Sequence, residues 1–177
     1  QGDLMPATHC FTLSNVDTYA YNHVAGVKYH HKKNAIDEIL ASGKYPLVPD
    51  KHACNNLIGP GVVGFNAGHI WNVDNTEPFS VSKALVQGRK IAKAFRDALA
   101  EFCPESFGNA FLSATAPLMG IRETRRVIGE YYLTLDDFIS KKSFPDEICR
   151  NCYFIDIHHK KSQIGTQHEG AGHKIHL

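Results

Sequence analysis

The segment FSVSKALVQGRKIAKAFRDALAEFC, residues 79–103, constrains the fold more than any other stretch of this sequence. Val81, Leu85, Gly88, Ala92, Phe95, Leu99 and Phe102 recur at alternating spacings of four and three. On a helix this spacing forms a single apolar stripe. Ala84, Ile91 and Ala98 widen it, and Lys83, Arg89, Lys90, Lys93, Arg96 and Asp97 take the opposite side. The stripe must be buried against a sheet or other helices, and Pro104 helps to end the helix. Gly88 lies on the stripe, so a neighbour is expected to approach closely there.

The other segments read mostly as strands. ATHCFTLSNV (7–16) is rich in β-formers, with Phe11, Leu13 and Val16 able to face a core and Cys10 out of step. NNLIGPGVVGFNAG (55–68) is two β-like pieces joined by Gly-Pro-Gly, a hairpin or bulged connection, and HIWNVDNTEP follows as a short strand with a turn. NAFLSATAPLMG (109–120) begins as a strand, and GIRETRRVIGEYYLT gives another through about Thr134. HHKKNAIDEILASG (30–43) has helical spacing at Ile36, Ile39 and Leu40, with Gly43 as its stop. Thr134 is a candidate N-cap for LTLDDF, FPDEICRN reads as a short helix with Pro145 in its first turn, and YFIDIHH (153–159) alternates like a strand. The order is not a regular βα alternation. It predicts an α+β fold, a mostly antiparallel sheet with the long amphipathic helix packed on it. Residues 1–160 are expected to form one domain, and 161–177 a polar, Gly-rich loop or tail.

Composition narrows the function. A formal net charge of +1 argues against a nucleic-acid binder. No run approaches the roughly 18 apolar residues of a membrane span. Five cysteines, Cys10, Cys54, Cys103, Cys149 and Cys152, are too sparse and odd in number for a disulfide framework, which mildly favours a reduced, intracellular setting. The opening QGDLMPATHCF and the closing GAGHKIHL suggest a piece of a longer protein, so targeting signals are expected elsewhere.

RETRR, residues 122–126, places Arg122, Glu123, Arg125 and Arg126 just before an apolar run. In extended chain Arg122, Thr124 and Arg126 share one face, and Glu123, Arg125 and Val127 the other. Guanidinium forks bind carboxylates and phosphates through paired hydrogen bonds. Glu123 could hold one arginine while the others point at a ligand, and an internal salt-bridge network explains the same residues. Asp156 and His158 share a strand face and could support proton transfer, or form a plain polar face. Cys149 and Cys152 with His158 and His159 could close a zinc site, although the gap is short for one and adjacent histidines seldom share an ion. Two half-buried cysteines flanking a turn are the preferred account, and no metal is expected. His30, His31, His52, His168, His173 and His176 lie in polar contexts and read mostly as surface groups. No G-x-G-x-x-G is read after a strand, so no dinucleotide-binding turn is expected, and there is no G-x-x-x-x-G-K-[ST] and no G-x-S-x-G.

The blocks ATAPLMGIRETRRVIGEYYLTLDDF and FPDEICRNCYFIDIH resemble the middle part of a bacterial family of FAD-dependent oxidoreductases, some of them loosely labelled xanthan lyase-like. The likeness falls on Gly120, Arg122, Glu123, Thr124, Arg125, Arg126, Gly129, Glu130, Tyr131, Leu133 and Thr134, then on Phe144, Pro145, Asp146, Ile148, Arg150, Ile155, Asp156, Ile157 and His158. It covers most of the chain, but this sequence lacks the family's Gly-rich FAD turn and has Cys149 where a small residue is usual. The resemblance implies a substrate domain lying over a flavin that flanking segments of the same polypeptide hold, inactive without them. FAD then belongs to the parent protein, and none is expected in this piece. Arg122, Arg125 and Arg126, oriented by Glu123, would face the substrate or flavin, and His158 with Asp156 would supply a base. The partners implied are a small-molecule substrate and the missing FAD-binding lobes, with no nucleic acid and no membrane. An autonomous small-ligand module and a zinc-stabilised interaction domain are the alternatives.

Overall fold

The computed structural model describes residues 4–24, 26–27, 34–122, 125, 127–150 and 153. The chain divides into two compact units, Gln1–Thr124 and Arg125–Leu177.

The first unit opens with β1 (Ala7–Thr8) and β2 (Phe11–Ser14), followed by α1 (Thr18–His23) and α2 (Ala35–Ser42). Then come β3 (Ala53–Gly59), β4 (Val62–Ala67), β5 (His69–Ile70), α3 (Pro78–Phe102), α4 (Pro104–Phe107) and β6 (Phe111–Thr115). β3, β4, β2 and β6 lie in that order in a four-stranded sheet, each neighbouring pair antiparallel. β1 pairs separately with β5, also antiparallel. The expected α+β architecture, with α3 packed on a sheet, is the one observed.

Alternation decides which face of the sheet is buried. Phe11 and Leu13 of β2 and Val63, Phe65 and Ala67 of β4 point into the core. The α3 stripe meets them there: Ala84, Gly88, Ile91, Ala92, Phe95, Ala98 and Leu99 are buried. Phe11 stacks on Phe65 with ring centroids 4.9 Å apart and meets Phe95 at 5.8 Å. Each such side chain withdrawn from water stabilises the fold by about 2 kcal/mol.

α2 ends as its sequence predicts, with Gly43 in the left-handed conformation (φ 64°) and Asn34 accepting from the Ile36 N–H at its start. The Gly-Pro-Gly connection is the β3–β4 hairpin, and Gly61 takes φ 67° at its tip. Gly59-Pro60-Gly61-Val62-Val63-Gly64 does spell G-x-G-x-x-G. The string joins two antiparallel strands and opens no helix, so it lacks the phosphate-binding helix N-terminus that the motif needs.

Several expectations are corrected. Residues 7–16 form two strands in different sheets, because the chain turns a corner at His9–Cys10, where the His9 side chain is buried against α3. α1 and α4 are short helices with capping signals: the Asp17 carboxylate accepts from the Ala20 N–H, and Pro104 occupies the first turn of α4. Among the described residues of 121–134 there is no strand. Val127 and Ile128 are 90% and 88% exposed, with no sheet face to cover them, so β-propensity alone does not make a strand there. The described part of FPDEICRN, residues 144–150, is not a helix either. Phe144 O accepts from the Glu147 N–H in a single turn, and the Glu147 carboxylate binds Ser143, the Phe144 N–H and Arg150. Those side-chain bonds compete with helical continuation. The predicted strand 153–159 and tail 161–177 fall outside the described residues apart from Tyr153, which is in no strand.

The second unit holds α5 (Leu135–Ile139). Thr134 caps it in a reciprocal box with Asp137. The Asp137 carboxylate also accepts from Tyr131 Oη at 2.5 Å and pairs with Lys142 Nζ at 3.1 Å. The Tyr131 hydroxyl, the Thr134 donors and Lys142 together hold the Asp137 carboxyl far below the usual carboxylate range.

Candidate functional site

The sheet face turned away from α3 forms an open groove of about 560 Å³. Its floor follows from strand register. Asn56 of β3 pairs with Gly64 of β4, Gly64 with Thr12 of β2, and Thr12 with Ala114 of β6. Each of these residues is an outward position on its strand, so one row crosses the sheet on small or neutral side chains. The next row begins with Cys54 opposite Asn66. Ile58 leans over Gly64, where an added Cβ would meet its terminal carbons at 3.4 Å. None of the described residues lining the groove is charged.

Cys10 and Pro117 close one end of this groove. Burial pushes the Cys10 thiol pKa up, and the nearby Arg122 charge pulls it back down. Arg122 is half-buried, and its Nε donates to Pro6 O at 3.0 Å. Among the described residues no hydrogen bond or ion pair engages its terminal Nη groups. The guanidinium is therefore held at its base and, among the described residues, presents an unengaged two-pronged donor edge, the geometry that binds an anion.

A second polar cluster is internal. The Asp50 carboxylate accepts from the N–H groups of His52 and His69 and from His69 Nδ1 at 3.1 Å. The His52 ring stacks on His69 with centroids 4.2 Å apart. His52, read as a surface group, is half-buried here. Burial works to raise the Asp50 pKa, but the His69 interaction and the two backbone donors outweigh it, and the net shift is downward. These bonds tie the loop before β3 to β5, which is work for the fold.

The predicted site residues divide as follows. Arg122 lies in the first unit, and Arg125 is an exposed residue of the second. Glu123, Arg126, Asp156 and His158 lie outside the described residues, as do Cys152 and His159. Cys149 is exposed. Among the described residues no three His, Cys, Asp or Glu side chains are grouped to hold a metal ion, and no helix is long and apolar enough to cross a membrane. Sequence reading missed the groove itself. The available signal was the polar alternation Thr12–Ser14, Cys54–Asn56 and Gly64–Asn66 opposite the buried positions.

Among the described residues, the G-x-G-x-x-G string does not stand at a helix N-terminus. It forms the β3–β4 hairpin, and the Gly61 N–H donates to Thr18 Oγ1 at 3.0 Å. Compared with known proteins, the chain is matched over residues 1–176 by the family model described as FAD dependent oxidoreductase. No curated protein and no solved structure matches it.

Proposed function

We infer, for a chain that belongs to the FAD-dependent oxidoreductase family, that it supplies the substrate-binding wall of the flavin site and that other segments of the polypeptide hold the cofactor. One observation carries this reading: the Arg122 fork, anchored to Pro6 and free of acidic partners among the described residues, lies by the Cys10 end of an uncharged groove. Bound flavin would supply hydride acceptance from a small-molecule substrate. The chain's own part is to bind and orient. Gly64, Thr12 and Ala114 present a flat floor and exclude water from it, and Arg122 holds a carboxylate or other anionic group at its edge. By family resemblance alone, Glu123, Arg125 and Arg126 are further substrate- or flavin-facing residues, and His158 with Asp156 would supply a base.

The test is the midpoint potential of the full-length flavoprotein, titrated with dithionite. An arginine beside the site favours the anionic reduced form. Arg122→Gln should therefore lower the potential by on the order of 30 mV, equivalent to about 1.4 kcal/mol for a two-electron couple. Arg122→Lys should recover most of that shift. An unchanged potential in Arg122→Gln, with flavin bound and the fold intact, would remove the basis for the proposal.

A further inference from the structure

We propose that His9 is a positioning residue for this site, an imidazole wedged between Gly88 and Ala116 that keeps Arg122 at the Cys10 end of the groove. The importance given to Arg122 rests on the reading above; the clamp itself rests on geometry alone. His9 is 2% exposed. Its Nε2 lies 2.7 Å from Ala116 O. A carbonyl only accepts, so Nε2 carries the proton. Its other face fills the space that Gly88 leaves: a Cβ there would lie 2.4 Å from His9 Cβ and 2.5 Å from Nδ1. No acceptor or donor among the described residues reaches Nδ1. The ring is thus held by shape on the helix side and by one directional bond on the loop side.

That bond acts where the chain leaves β6. The Ala116 N–H already donates to Cys10 O at 2.8 Å, so the His9 bond occupies the residue's other polar group. Further along, Thr8 and Gly120 exchange both backbone bonds, and Arg122 reaches Pro6. Residues 6–10 are laced to 116–122 in antiparallel order. The lacing is all backbone-to-backbone except at its two side-chain points, His9 and Arg122. Ala116 and Cys10 are themselves groove walls, so slack at Ala116 changes the end of the groove by which Arg122 lies.

The test uses isotope-labelled cysteine in the full-length protein and follows the Cys10 titration by NMR, since Cys10 feels the Arg122 charge. His9→Leu keeps bulk and loses the donor. It should move the Cys10 titration to higher pH, to the same point as Arg122→Gln, and the double variant should move it no further. His9→Gln, whose amide nitrogen can take the place of Nε2, should restore the wild-type titration, whereas His9→Asn should not. If His9→Leu fails to fold, Gly88→Ala crowds the ring from the helix side and should shift Cys10 in the same direction. The proposal is overturned if the His9 variants leave Cys10 at its wild-type titration while Arg122→Gln moves it, or if the single shifts add in the double variant. It is equally overturned if Arg122→Gln leaves Cys10 unmoved. Coupled Cys10 shifts with no change in flavin potential would leave the clamp standing and reject the flavin-wall reading instead.

Discussion

The imidazole of His69 donates from Nδ1 to the Asp50 carboxylate across 3.1 Å, with both side chains less than a tenth exposed. Two backbone N–H groups complete the carboxylate's partners. Asp50→Asn keeps the shape and removes the charge. It should cost about 2 kcal/mol, in the range for hydrogen bonds to a buried charged group, read as a lower urea midpoint at neutral pH.

The same pair sets a pH dependence. The Asp50 pKa is lower in the folded protein than its ordinary value near ~4. Its contribution is therefore complete above that ordinary value and is lost as pH falls through the lower, folded value. Urea midpoints measured from pH 6 downward should begin to fall below about pH 4, and Asp50→Asn should flatten that limb. A variant that kept the full wild-type slope would show that other carboxylates carry it.

Gly88→Ala sets helix propensity against packing. In an exposed helix interior the change would stabilise by about 1 kcal/mol. Here the added Cβ would lie 2.4 Å from His9 Cβ, and the His9 side chain is buried. Overpacking of this kind costs typically ~1–3 kcal/mol, so a net loss is expected. Thermal unfolding decides the sign. A higher melting temperature would mean that the ring moves aside at little cost.

α3 was legible because its stripe runs for seven turns and its period has no rival interpretation. The hairpin was legible because Gly61 needs a positive φ. The corner at His9 was not, since nothing local marks a strand that changes sheets; the reason lies 79 positions away at Gly88. The groove was hidden for a similar cause. Asn56, Gly64, Thr12 and Ala114 meet only through the strand order β3-β4-β2-β6, which no single segment encodes. RETRR was noticed as charge, but the anchoring of Arg122 depends on Pro6, at the other end of the unit. The opposite error, the strand expected through Thr134, came from counting β-formers with no partner strand to receive them.

In the second unit, Thr134 and Asp137 cap α5 reciprocally. Thr134→Ala should cost about 1 kcal/mol of local stability. The readout is faster amide exchange at Asp137, whose N–H donates to Thr134 Oγ1 at 3.1 Å. Because the folded Asp137 pKa lies far below its ordinary value, the box is complete at neutral pH and stays closed as pH falls through about 4. Protection of that amide, corrected for intrinsic exchange, should hold down to this pH in the wild type. Loss of protection at higher pH would place the Asp137 proton elsewhere.

Thiol labelling tests whether the outward sheet face is covered in the whole flavoprotein. Cys10 and Cys54 are exposed and line the groove, Cys149 is exposed in the second unit, and Cys103 is buried. Burial first, then the Glu105 and Glu38 charges, push the Cys103 thiol up to about 11, so it stays protonated and unreactive in the folded state. Iodoacetamide on the isolated 177-residue chain should modify Cys10 and Cys54 and spare Cys103, read by peptide mass. If the flavin covers this face as proposed, modification of Cys10 and Cys54 in the flavin-loaded protein should slow at least tenfold, as if about 1.4 kcal/mol were needed to open the groove. Extraction of the flavin should restore the faster rates. Equal rates in the loaded protein and the isolated chain would mean that this face looks onto solvent, and the flavin would then have to lie against some other surface.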